Sequence, residues 1–228
     1  MTISIPPTAA TTRRDPAGPP EPTLDEIRGG YRESVCPDRA DRADLFDWPA
    51  LAAAAATGSA LRRTAVFASA GRVCGRAPIT AIPGWTCDDA ARVLLLDAIA
   101  RAAAGGPIPG DAELAGLIRT LYERGDTHER RAVLRALPYL PPGAATPDLT
   151  RTLTEDALRG DDRSLVAAAM GPCGRAVLTD AQWRRGVLKC LDLGLPLRPT
   201  VSGLGARSDT ELVHMLADFA RERADSAD

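Results

Sequence analysis

Ahead of Asp47 the apolar residues follow no regular order; beyond it they recur with the 3.6-residue period of an α-helix. Residues 1–23 hold six prolines among Thr, Ala and Gly, too little apolar surface to offset the entropy of ordering, and are expected to form a disordered tail. Residues 24–47 alternate charges with a few apolar positions, and a short helix is expected around Arg39–Phe46. Pro49 suits a first helical turn and Leu51–Ala56 is a strong helix-forming run. The next helix carries Leu61, Ala65, Val66 and Ala70 and ends near Gly71 or Gly75. After the breaks at Pro78, Pro83 and Gly84, Thr86 can cap a helix with Val93, Leu94 and Ile99 on its buried side, and Gly105–Pro109 then forms a loop.

Downstream the start and stop signals sharpen. Asp111 leads Leu114, Leu117, Ile118 and Leu121, a one-face spacing that stops at Gly125. Asp126 with Glu129 reads as a capping box for Ala132, Val133, Ala136 and Leu137, closed by Pro138. Thr146-Pro147 opens a helix through Leu149, Leu153 and Ala157, and Asp161 starts one with Leu165, Val166, Ala169 and Met170. Thr179-x-x-Gln182 and Ser208-x-x-Glu211 are further capping boxes, ahead of Trp183, Val187, Leu188, Leu191 and of Leu212, Met215, Leu216, Phe219. The β-branched alternation of a strand is absent after residue 85, so the class is all-α.

Arg124-Gly125-Asp126 recurs as Arg159-Gly160-Asp161, each time between two helices and each time ahead of a proline, Pro138 and Pro172. An echo of this period suggests stacked helix pairs, either a HEAT-like α-solenoid or a more irregular helical domain. The organisation is therefore a tail over 1–23 and a single helical domain over 24–228.

Composition narrows the functional classes. A net charge of −2 opposes broad electrostatic binding to nucleic acid or to an anionic membrane. The start of the chain has no apolar signal-peptide core, and the longest apolar runs are too short to span a bilayer, so a cytoplasmic protein is expected. Five cysteines form no CxxC pair, and with only His128 and His214 beside them no zinc set exists; buried reduced thiols are the simple reading.

Among 27 arginines Lys189 is the single lysine, which invites a catalytic or Schiff-base role. On its helix it stands one turn after Arg185, where a solvent-facing base near the C-terminal half is the simpler reading. Trp85 and Trp183 can line an aromatic pocket for an apolar metabolite, or pack as staples at the helix starts where they sit. His128 and His214 have no Ser, Cys or Asp partner at motif spacing. Asp218 and Glu222 beside Arg221 and Arg223 read as a solvated helix face.

Six stretches resemble the EboA family: FASAGRVCGRAPI (Phe67–Ile79), GWTCDDAARVLLL (Gly84–Leu96), LYERGDTHERRAVLRALPYLP (Leu121–Pro141), DALRGDDRSLVAAAMGP (Asp156–Pro172), WRRGVLKCLDLGLPL (Trp183–Leu197) and GLGARSDTELVHMLADFARER (Gly203–Arg223). They run in order over roughly residues 60–223. The chain departs from the family pattern at Gly171-Pro172-Cys173-Gly174 and at Trp183-Arg184-Arg185. The resemblance implies the first product of a bacterial gene cluster linked to traffic of metabolites, some prenylated, toward the periplasm. It implies as partners other proteins of that cluster, including a membrane prenyltransferase, and it brings no catalytic residues.

The expectation is thus a non-enzymatic interaction or carrier component, with no catalytic, metal or cofactor site. Its candidate ligand or partner surface is Trp85, Trp183, Arg185, Lys189 and Arg207. The rival is an isomerase or hydrolase of the same pathway using Lys189, Asp218 and Glu222. A nucleic-acid-binding helical repeat is disfavoured by the acidic balance.

Overall fold

The computed structural model describes residues 21–35, 55, 58–104, 111–141 and 143–226. In chain order the α-helices are α1 (Leu24–Val35), α2 (Ala60–Cys74), α3 (Cys87–Ala104), α4 (Asp111–Arg124), α5 (Thr127–Ala136), α6 (Pro147–Arg159), α7 (Arg163–Ala169), α8 (Pro172–Val177), α9 (Asp180–Asp192), α10 (Leu197–Thr200), α11 (Leu204–Arg207) and α12 (Thr210–Asp225). The described residues form no strand, only a single bridge between Pro78 and Thr86, so the protein is all-α. The helix expected around Arg39–Phe46, the loop Gly105–Pro109 and the tail up to residue 20 lie outside the described residues; of the run Leu51–Ala56 only Ala55 is described, helical and buried.

α3 sits at the centre because its sequence leaves it no wet side. Ala90, Ala91, Val93, Leu94, Leu95, Leu96 and Ile99 are all buried, and they surround the whole helix rather than one stripe. α1 and α2 pack on it from one side and α5 from the other. From there each helix meets the one two places further on. α2 meets α4, α4 meets α6 and α6 meets α8, while α3 meets α5, α5 meets α7 and α7 meets α9. The pairs α2/α3, α4/α5 and α6/α7 also pack internally, so each buries its apolar face on its partner and on the next pair. α12 closes the far end against α9. One apolar cluster runs from Ile27 to Cys173; a second, around Trp183, gathers Val166, Met170, Val187, Cys190 and Leu212, and Leu158 touches both.

Local chemistry places the junctions. The Asp126/Glu129 and Thr179/Gln182 capping boxes form in full, and Thr146 caps α6 with Pro147 in its first turn. Two expected starts move by one residue. α7 is capped by Asp162, whose carboxylate takes the amides of Ser164 and Leu165, rather than by Asp161, which turns outward to Lys189. α12 is capped by Asp209 rather than Ser208, whose hydroxyl closes α11 by donating to the Leu204 carbonyl. On α2 the buried face is Arg63, Phe67, Ala70 and Cys74, leaving the expected Leu61 80% exposed.

α1 lies where only alternating charges are legible in the sequence. Thr23 and Glu26 cap it reciprocally, Thr23 N–H donating to the carboxylate (2.7 Å) and Glu26 N–H to the hydroxyl (3.2 Å). It buries Ile27 and Tyr31. Gly30 lets it touch the loop between α2 and α3, since a Cβ there would lie 2.8 Å from Ile79 Cγ2.

Candidate functional site

Two polar helix faces are pressed together inside the molecule. α3 opens Thr86-Cys87-Asp88-Asp89-x-x-Arg92, and α5 carries His128-Glu129-x-Arg131-x-x-x-Arg135. Asp88, Asp89 and Arg92 are buried to within 1% of completely. Arg131 grips Asp89 with a two-pronged fork, at 3.0 and 2.9 Å, and Arg135 adds a contact of 2.7 Å. Arg92 holds Asp88 at 2.7 Å, gives its Nε to the Phe67 carbonyl and covers the Phe67 ring. The Thr86 hydroxyl, expected to cap α3, instead lies 2.6 Å from Asp88 and 2.8 Å from Asp89, to which it donates.

Burial pushes the Asp88 carboxyl up, but hydrogen bonds from Thr86 and Arg92 and the charges of Arg92 and Arg131 outweigh it and hold Asp88 below the usual range. His128 is half-buried, with Nδ1 3.1 Å from Arg131 and 4.0 Å from Asp88. Both carboxylates are thus taken up by guanidinium groups. That arrangement fastens α3 to α5; it leaves no proton or lone pair aimed into open space.

The candidate residues fall in three places. Trp85 is half-buried at the edge of this ion network, its ring under Arg135 (4.8 Å), which also donates to the Gly84 carbonyl. Trp183 is fully buried at the centre of the second cluster, and its indole N–H donates to the Ser202 carbonyl (3.3 Å). Arg207 lies over the same ring at 5.1 Å. It donates to the carbonyls of Arg175 and Leu178 and to Asp180, satisfying acceptors at the end of α8. Trp183 and Arg207 are therefore a packed and stacked pair, with only the Arg207 side reaching solvent.

Arg185 and Lys189 come together elsewhere, on a groove between α6 and α9 with a cavity volume of about 320 Å³. Arg159 stands on the opposite wall. Leu158, Leu178 and the backbone of Gly186 form the floor, and Met170 packs so close beneath Gly186 that any side chain there would strike its sulfur. Glu155 at the mouth accepts from the Gln182 side chain at 2.7 Å. Lys189 pairs with Asp161 at 2.9 Å. Glu155, Leu158, Arg159, Leu178, Gln182 and Gly186 are the groove residues that sequence reasoning missed. Glu155 and Arg159 share a face of α6 at (i, i+4) spacing, a signal that a lone solvated helix gives equally well.

For the rival site the structure gives other partners. Asp218 pairs with Arg221 (2.6 Å) on the exposed side of α12, and Glu222 lies exposed beside them. His214 is exposed. The four described cysteines are free and buried, and burial pushes the Cys74 and Cys190 thiols up to about 11 and that of Cys173 to about 12, which leaves them unreactive at neutral pH. Among the described residues no group of His, Cys, Asp or Glu could hold a metal, and no helix is long and apolar enough to cross a membrane.

Residues 76–228, more than half of the chain, match the family described as metabolite traffic protein EboA. No curated protein and no solved structure matches. The matched segment contains both halves of the ion network and the whole groove.

Proposed function

This chain belongs to the EboA family of metabolite traffic proteins, and on that premise we propose that it acts as a non-enzymatic helical-repeat component that carries or hands over a metabolite. The pairs of stacked helices form a HEAT-like array whose role is to present surface. The metabolite includes a prenyl-type apolar portion, the partners are other products of the same gene cluster, among them a membrane prenyltransferase, and the protein works in the cytoplasm.

One observation carries the reading: the titratable groups that the fold gathers inside are consumed by one another, whereas the open groove at Arg185 and Lys189 is lined for contact. Asp88 and Asp89 are closed off by Arg92, Arg131 and Arg135, and the buried thiols are held protonated. A catalyst needs a free proton acceptor or nucleophile facing a reacting atom; neither set faces the groove, and the groove's own Glu155 and Lys189 are engaged by Gln182 and Asp161.

Deleting the gene in its host tests this. The traffic reading expects the metabolite to be made in its finished form and to accumulate on the wrong side of the membrane. Accumulation of an unconverted precursor would instead favour the isomerase or hydrolase. The double variant Asp218→Asn/Glu222→Gln separates the two again: delivery should be unchanged, and its collapse with the fold intact would restore the enzyme.

A further inference from the structure

We propose that the groove between α6 and α9 binds a small amphiphilic anion, a phosphate- or carboxylate-type head joined to a short apolar chain. The inference deepens the carrier reading and rests on it for the groove's role in the cell, while the binding chemistry stands on the lining itself. Three cations, Arg159, Arg185 and Lys189, line the groove with one carboxylate, Glu155, which accepts from Gln182, and Arg159 also reaches Asp156 at 3.6 Å, a carboxylate it shares with Arg130. The lining itself thus presents three positive groups and one negative, with the partners of Arg159 and Lys189 outside it, on a chain whose net charge is −2. Arg185 is exposed and has no carboxylate within ion-pairing distance among the described residues. The counter-ion of Lys189, Asp161, is 85% exposed, so water competes for that pair and an incoming anion can replace it.

The floor has the opposite character. Leu158, Leu178 and the bare backbone at Gly186 offer an apolar strip next to the charged rim. A volume of about 320 Å³ accommodates on the order of ten non-hydrogen atoms at liquid-like density. A head held by Arg185 and Lys189 with a chain of several carbons along Leu158 uses both surfaces at once. An inorganic anion wastes the floor, and a neutral alkane leaves the cations without a partner.

Calorimetric titration of the full chain with octyl phosphate, inorganic phosphate, octanol and octylammonium tests the assignment. Octyl phosphate should bind at least about tenfold more tightly than each of the other three. In Arg185→Glu/Lys189→Glu its affinity should fall at least about tenfold and octylammonium should become the preferred ligand. Both positions lie at the surface, and an unchanged circular-dichroism melt of the double variant confirms the fold. If the variant does not fold, Arg185→Gln alone gives the same test, with a loss of several-fold. Equal binding of octyl phosphate to wild type and variant, or none at millimolar concentration, overturns the proposal; inorganic phosphate binding as tightly as octyl phosphate overturns the amphiphile class. These outcomes are independent of the deletion phenotype, so failure of one does not mimic failure of the other.

Discussion

Removing Asp89 should damage the fold far more than removing Lys189, although both are single charged residues in ion pairs. Asp89 is fully buried and answers two guanidinium groups; Asp89→Ala leaves Arg131 and Arg135 facing each other with no anion between them, at a cost of about 3–5 kcal/mol. Lys189 pairs with a water-exposed carboxylate, and Lys189→Ala should change stability by less than about 1 kcal/mol. Urea unfolding at constant m-value measures both, and equal midpoints for the two variants would mean that the network does not fasten α3 to α5. Trp183→Ala should cost about 3–5 kcal/mol, because the ring is the largest fully buried side chain and also seats Arg207.

At the scale of elements, α1 should be the first helix to come away, although Ile27 and Tyr31 belong to the main apolar cluster. It packs on α3 and on the loop before it through Gly30, where a side chain would strike buried Ile79. Gly30→Leu should strip amide protection from α1 in hydrogen exchange while α4 to α9 keep theirs; loss of protection throughout would make α1 integral to the core.

The same helix marks the limit of what could be read beforehand. α5, α6 and α9 were legible because a cap residue stands directly ahead of a one-face apolar stripe, and α4 by its stripe of Leu114, Leu117, Ile118 and Leu121 alone, Asp111 being its first residue rather than its cap. α1 has its capping box too, Thr23-x-x-Glu26, but Gly29-Gly30 and the flanking charges disguise an inner face of only Ile27, Tyr31 and the half-buried Leu24. The ion network was illegible for a different reason. Asp89 and Arg131 are 42 residues apart, and polar residues on a helix look alike whether they meet water or each other. The groove was half legible: Arg185 and Lys189 are one turn apart on α9, but their opposite wall comes from α6 by stacking alone.

Across the whole molecule the buried thiols and phenols set the response to alkali. The folded-state values of Cys74 and Cys190 are raised from 9.0 to about 11 and that of Cys173 to about 12, and those of Tyr122 and Tyr139 from 10.0 to about 12, in each case by burial. Tyr31 is raised as well, by burial beside Cys74. A raised value means that the stabilising contribution is complete below the unfolded value and is lost as pH climbs through the folded one. The melting temperature should therefore fall from about pH 9 upward, with thiols reacting only as the chain unfolds. Asp88 works in the other direction: its lowered value gives stability that is present above its ordinary value of 3.8 and lost as acid protonates it. A protein whose midpoint held steady above pH 9 would not have these groups buried.

The larger claim is that a stacked-helix array of the EboA family serves as a carrying and docking surface. Native mass spectrometry of the protein purified from its own host tests it most directly, since one spectrum reports bound small molecules and protein partners together. The account predicts a co-purifying protein of the same gene cluster and an added mass from a small anionic, partly apolar molecule that disappears in Arg185→Glu/Lys189→Glu. A spectrum holding only the bare chain, from cells actively making the metabolite, would contradict it.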